Sequence, residues 1–153
     1  MDRLNLVLRL KEFYQLEMFQ LNLYASQKGA LQNEYIEHAY ERMIELERQH
    51  TDFFKLKLEE FGHEAPKLSG GLTSLAGHLL GGVALDFTTA ENRYKLGIAV
   101  ETKAIEMYRA LIMEAWEYPD ICQRLWHNMI DEEFHLLWYK DNLKHATSLI
   151  QST

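Results

Sequence analysis

Cysteine is almost missing from this sequence: Cys122 is the only one in 153 residues. That excludes an intrachain disulfide, and the lack of any Cys-x-x-Cys pair excludes a zinc ribbon or a rubredoxin-type module. Proline is nearly as scarce. Pro66 and Pro119 are the only two, and neither falls inside a long helix-patterned stretch, where it would remove a backbone donor. Basic clusters are lacking too. The formal net charge is -7 and no dense Lys/Arg run occurs, which sets aside nucleic acid as a partner, because such a surface needs a basic footprint. No strand-like alternation of apolar and polar residues is present. The opening run MDRLNLVLRLKEF carries charges at Asp2, Arg3, Arg9 and Lys11 and lacks the apolar centre of a signal peptide, so a cytoplasmic location is expected.

One stretch lacks charge altogether. Between Lys67 and Asp86 there is no Asp, Glu, Lys or Arg. Its run LSGGLTSLAGHLLGGVAL is marginal against the roughly 20 apolar residues that a membrane span needs, and it is glycine-rich and interrupted by His78. A crossover packed on the rest of the molecule is expected, with peripheral membrane contact through 68–85 as the alternative.

What the chain does have is apolar content, 47% of residues, in a length that suits one domain (1–153) around one core. Four segments carry helical periodicity, about 3–28, 31–61, 88–116 and 119–149. Gly29 and Gly62 are fitting stops for the first and second. Thr88 and Glu91 have capping-box spacing at the start of the third, and Pro119 suits the first position of the fourth. Short turns join the first helix to the second and the third to the fourth, so each pair is expected to be an antiparallel hairpin. The second-to-third connection, about 62–87, is long enough to run the length of the bundle. The expected fold is therefore all-α, a ferritin-like antiparallel four-helix bundle with one long crossover between helices 2 and 3.

Glu-x-x-His places a carboxylate and an imidazole almost one turn apart on one helix face, where both can reach one ion. The chain has Glu47-x-x-His50 and Glu132-x-x-His135. With 7 histidines among many glutamates, chance alone supplies about one such pair. A third, Glu60 and His63, is such an accident, because Gly62 ends the helix between them. Register is the stronger signal. Glu17 precedes Glu47 by 30 residues and Glu101 precedes Glu132 by 31, so each pair lies level across a hairpin whose turn falls midway. The halves repeat at 84 to 85 residues, and Tyr24 and Tyr108 each follow their glutamate by seven. Each glutamate also sits in an apolar stripe, as Glu17 does with Leu10, Phe13, Leu21 and Tyr24. Four facing buried carboxylates repel one another and resist desolvation, and two divalent cations remove both problems.

The expected ligands are therefore Glu17, Glu47, His50, Glu101, Glu132 and His135, with Tyr24 and Tyr108 behind them. Asp131 can reach across to the free ring nitrogen of His50. The matching position in the first half is Leu46, so His135 lacks that partner and the two metals are expected to differ. Carboxylate and imidazole donors suit iron or manganese. Two iron ions are expected, because a redox pair can activate dioxygen.

Several runs resemble the demethoxyubiquinone hydroxylases. AGHLLG and AVETKAIEMY follow one another within 66–108, in the order in which that family places an AG-x-x-LG crossover and an AVE-x-x-x-x-x-Y helix. ELERQHTDFF and IDEEFHLLWYKDNL look like its second and fourth ligand helices. The similarity covers most of the chain after Glu41, and the first helix matches only through Glu17. The resemblance implies a membrane-associated di-iron monooxygenase of ubiquinone biosynthesis that hydroxylates a quinone ring, with those six residues as ligands and a separate electron donor. Rubrerythrins, which reduce peroxide, are a second resemblance. Against them stand the missing rubredoxin cysteines and Ala104, three residues after Glu101, where their third helix usually has a second glutamate. A ferritin-like iron-binding protein and a non-catalytic helical interaction module are the remaining alternatives. Tyr, Trp and Leu on the first and fourth helices are consistent with a homodimer.

Overall fold

A computed structural model describes residues 1–28, 33–67 and 89–151. The described residues form four α-helices: α1 (Arg3–Lys28), α2 (Glu34–Glu60), α3 (Ala90–Glu114) and α4 (Pro119–Gln151). No strand occurs among the described residues.

The helix ends follow from local hydrogen bonding. Asp2 Oδ1 accepts the Asn5 N–H at the start of α1, satisfying one of the donors that a first turn leaves open. Asn33 caps α2, its side chain accepting from the N–H groups of Tyr35 and Ile36. This cap starts the helix at Glu34, later than the periodicity alone suggests; positions 31 and 32 lie outside the described residues, as does Gly29. At the other end Gly62 takes φ 80. Its N–H donates to Glu59 O while the His63 N–H donates to Leu58 O, a Schellman pattern that suits glycine. For α3 the capping residue is Thr89, whose side chain accepts from the Asn92 N–H, and Thr88 lies outside the described residues. The expected Thr88–Glu91 capping box is thereby corrected: Glu91 falls in the first turn behind a different cap and pairs with Lys95. The helix ends at Glu114, two residues before the expected 116. A short turn, with Tyr118 N–H on Ala115 O, leads into α4. Pro119 opens that helix as expected, since it needs no donor there.

The helices pack mainly as α1 on α2 and α3 on α4. The buried apolar side chains form two clusters. One holds Leu6, Leu10, Phe13 and Leu16 of α1 with Phe54 and Leu58 of α2, Tyr108 and Leu111 of α3, and Ile121 and Leu125 of α4. The other holds Phe19, Leu23 and Tyr24 with Tyr40 and Met43, Tyr94 and Val100, and Tyr139. Every helix therefore contributes to both, and the residues between its two contributions lie midway along the molecule. Of the connection expected at 62–87, only 62–67 is described, and the candidate membrane contact at 68–85 falls outside the described residues. No described helix is long and apolar enough to cross a membrane.

Candidate metal centre

Between the two apolar clusters the sequence places charge. Glu17, Glu47, Glu101 and Glu132 are each 0% exposed, and His50 and His135 are 1% and 3% exposed. Each occupies a position where helical periodicity directs a side chain inward. The six converge as two overlapping groups, Glu17, Glu47, His50 and Glu132 in one, and Glu47, Glu101, Glu132 and His135 in the other. Within each group one ligand atom per residue lies within 4.8 Å of all the others.

The oxygens show how the groups share residues. His50 Nδ1 lies 3.3 Å from Glu17 Oε2, 3.4 Å from Glu47 Oε2 and 3.1 Å from Glu132 Oε1. His135 Nδ1 lies 3.1 Å from Glu47 Oε1, 3.5 Å from Glu101 Oε1 and 3.4 Å from Glu132 Oε2. Glu47 and Glu132 thus turn one oxygen toward each histidine, whereas Glu17 serves only the His50 group and Glu101 only the His135 group.

A layer of polar residues backs these six. Tyr24 donates its hydroxyl to Glu101 Oε1, and Tyr108 donates to Glu17 Oε1. Each phenol of the internal repeat therefore reaches the glutamate of the other half. Asp131 Oδ2 lies 3.2 Å from His50 Nε2, whereas His135 Nε2 has no hydrogen-bond partner. Two further residues were not singled out from the sequence. Gln20 donates from Nε2 to Glu101 Oε2 and Glu132 Oε2 at 3.1 and 3.0 Å, and Asn128 donates to the Tyr108 hydroxyl at 3.2 Å. Both are fully buried. The available signal was a polar side chain on the ligand face, three residues after Glu17 and four before Glu132. The accidental pair stays apart from the cluster, with Glu60 on Lys57 and His63 exposed.

Burial raises the pKa of Glu17 and of Glu101 well above the carboxylate range, and the nearby charge of Glu132 adds to it. Glu132 is also penalised by burial, but the close polar approach of Glu101, His135 and His50 outweighs that and holds it well below the usual range. Burial disfavours the charged form of both histidines. The carboxylates outweigh it, Asp131 and Glu132 foremost at His50 and Glu101 and Glu132 at His135, so both pKa values lie well above the usual imidazole value. Burial, then the adjacent glutamate, raises Tyr24 and Tyr108 and keeps them as donors.

Several polar atoms of the cluster are left unsatisfied. Both oxygens of Glu47, Glu132 Oε1 and His135 Nδ1 are buried and approach one another or His50 Nδ1 closely, yet none of them makes a well-directed hydrogen bond. Such orphans are rare in native interiors and call for an unseen partner. All of them belong to residues of the two groups, and carboxylate oxygen with imidazole nitrogen is a donor set for divalent metal. The cluster fits a metal ion on both counts. No protein-family model matches this chain, and no curated protein matches it.

Proposed function

We propose that this protein is a non-haem di-iron oxidoreductase that activates dioxygen, a relative of the demethoxyubiquinone hydroxylases acting on a quinone-like apolar substrate. In this reading residues 1–153 form one antiparallel ferritin-like bundle with a long crossover, and Glu17, Glu47, His50, Glu101, Glu132 and His135 hold two irons. The observation that carries it is the pair of overlapping groups, which share two carboxylates and each contain one histidine. That arrangement suits two adjacent cations better than one.

Bound iron would supply the redox electrons and Lewis acidity that dioxygen chemistry needs. The chain's own residues do the rest. Glu47 and Glu132, which turn one oxygen toward each histidine, would serve both groups, and Glu17 and Glu101 would each serve one. Tyr24 and Tyr108 hold protons at Glu101 Oε1 and Glu17 Oε1, where they steady the carboxylates and stand ready to donate. The apolar clusters on both sides keep water away. Manganese satisfies the same donors, and iron is favoured by the redox chemistry. Ala104, buried in the apolar core, offers no extra carboxylate beside Glu101, which favours an oxygenase over a rubrerythrin-like peroxide reductase.

Electrons come from a separate donor in this reading, and the protein acts in the cytoplasm or against a membrane surface. Exposed Leu4 and Leu8 on α1 and Trp126, Phe134 and Leu137 on α4 support pairing with a second copy.

Elemental analysis of anaerobically purified protein tests the proposal. About two irons per chain are expected, with loss of metal in Glu47→Ala and His135→Ala. Oxidation of the reduced protein should then couple to hydroxylation of a short-chain quinone precursor. Rapid peroxide turnover without an organic substrate would move the assignment to the peroxide-reducing class. A protein that neither carries metal nor takes it up on reconstitution is not an enzyme of this kind.

A further inference from the structure

Gln20 has no place in the six-ligand pattern, yet it is 0% exposed at the cluster. Its amide nitrogen donates to one oxygen each of Glu101 and Glu132, joining α1 to α3 and α4 through carboxylates that the proposed ligand set already uses. Its Oε1 has no hydrogen-bond partner. Leaving such an atom orphaned in the interior is costly, so an apolar residue would suit packing alone better. The internal repeat shows that packing does not require an amide there. The position 84 residues on is Ala104, which lies in the apolar core.

Asp131 breaks the same repeat in the opposite sense. It contacts His50 Nε2 at 3.2 Å, its counterpart in the first half is Leu46, and His135 Nε2 stays unpartnered. One group is therefore backed by a carboxylate behind its histidine. The other is backed by a neutral amide on its carboxylates. A carboxylate on the far ring nitrogen orients an imidazole and strengthens it as a metal ligand. An amide N–H on a ligating carboxylate fixes its orientation but adds no negative charge to the site.

Resting on the two-metal reading, we propose that Gln20 is a positioning residue dedicated to the metal on the His135 side, and that the two metals are held with unequal affinity, the His50 side filling first. Gln20 does its work by fixing the oxygens of Glu101 and Glu132, and Asp131 does the equivalent through His50.

Anaerobic titration of the full-length metal-free protein with cobalt(II), followed by calorimetry and visible absorption, reads both sites without any turnover. The wild type should bind in two separate steps. Gln20→Met keeps the side-chain length and removes the amide; it should weaken the second step by about 10- to 100-fold and the first, which uses only Glu132 of the two carboxylates that Gln20 holds, by far less. Asp131→Asn should weaken the first step by a similar factor and spare the second. Two equal sites in the wild type would overturn the inference while leaving the metal centre intact. So would a Gln20→Met protein with lowered thermal stability but an unchanged ratio of the two affinities, since that marks a purely structural residue. Failure of the wild type to bind any cobalt(II) would overturn the metal reading itself, and this inference with it.

Discussion

At the scale of single residues, burial and carboxylate repulsion favour protons on Glu17 and Glu101, and the nearby carboxylates favour them on His50 and His135, when no metal is bound. Glu17 and Glu101 hold protons that an exposed glutamate would lose near 4.5, and His50 and His135 hold protons that an exposed histidine would lose near 6.5. At all four the folded state binds protons more tightly than the unfolded chain. Their stabilisation is complete at low pH and is lost as pH rises, from the carboxyl range upward for the glutamates and from the imidazole range upward for the histidines. Glu132 acts in the opposite sense, contributing above the ordinary carboxyl range and losing that contribution as pH falls. It is one group against four. The melting temperature of chelator-treated protein should therefore fall between about pH 5 and about pH 8. Metal-loaded protein should show the reverse trend, because the ions displace those protons and binding tightens as they leave. Melting curves across the range, with and without metal, check both signs; a chelated protein that grows more stable toward pH 8 would contradict protonation of the cluster.

At the scale of elements, the buried glutamates and histidines lie on the inward helix faces, and the fit between α3 and α4 is tight where it meets the aromatic cluster. Gly97 on α3 faces Tyr139 on α4 so closely that an added Cβ would lie 2.5 Å from the Tyr139 ring. Tyr139 is fully buried and packs against Tyr24, Tyr40, Tyr94 and Trp138, so the ring has little room to retreat. Glycine costs about 1 kcal/mol relative to alanine inside a helix, so Gly97→Ala would be stabilising at an open site. Here overpacking outweighs that gain, and a net loss of about 1–2 kcal/mol is expected in chemical denaturation. A more stable Gly97→Ala protein would show that α3 and α4 can separate freely. The helix starts at Asn33 and Thr89 belong to this scale too. Two adjacent threonines, Thr88 and Thr89, both have the chemistry of a cap, and periodicity alone places a helix end only to within a few residues.

At the scale of the molecule, α1 packs mainly on α2 and α3 mainly on α4, and the buried polar links between these two halves concentrate at the cluster. Tyr24 reaches Glu101, Tyr108 reaches Glu17, Gln20 reaches Glu101 and Glu132, and His50 meets Asp131. Metal bound there should tie the halves together. At a hundredfold excess of free metal over the dissociation constant, one site adds about 2.7 kcal/mol to stability. Glu101→Ala separates this from a non-catalytic helical module. With metal, the variant should melt below the wild type, having lost a ligand. With chelator the deficit should shrink to what the lost packing and the stranded Tyr24 and Gln20 donors cost, since no ligand is then missed. If the deficit of Glu101→Ala is the same in both conditions, no metal is using that carboxylate.

The sequence by itself determined the elements and the level of the site. Four helical stretches, the glutamates in apolar stripes and the 30- and 31-residue spacings follow from periodicity along one chain, and periodicity is local. The structure alone decided which oxygen faces which histidine, because that depends on how four helices rotate about their own axes when they pack. The exchange of tyrosines between halves is of this kind: the repeat marks Tyr24 and Tyr108 as equivalent, but only packing sends each to the other half's glutamate. Gln20 and Asn128 stayed hidden for the same reason. A glutamine or asparagine on a helix face reads as solvated until the neighbours that bury it and accept its hydrogen bonds are in place.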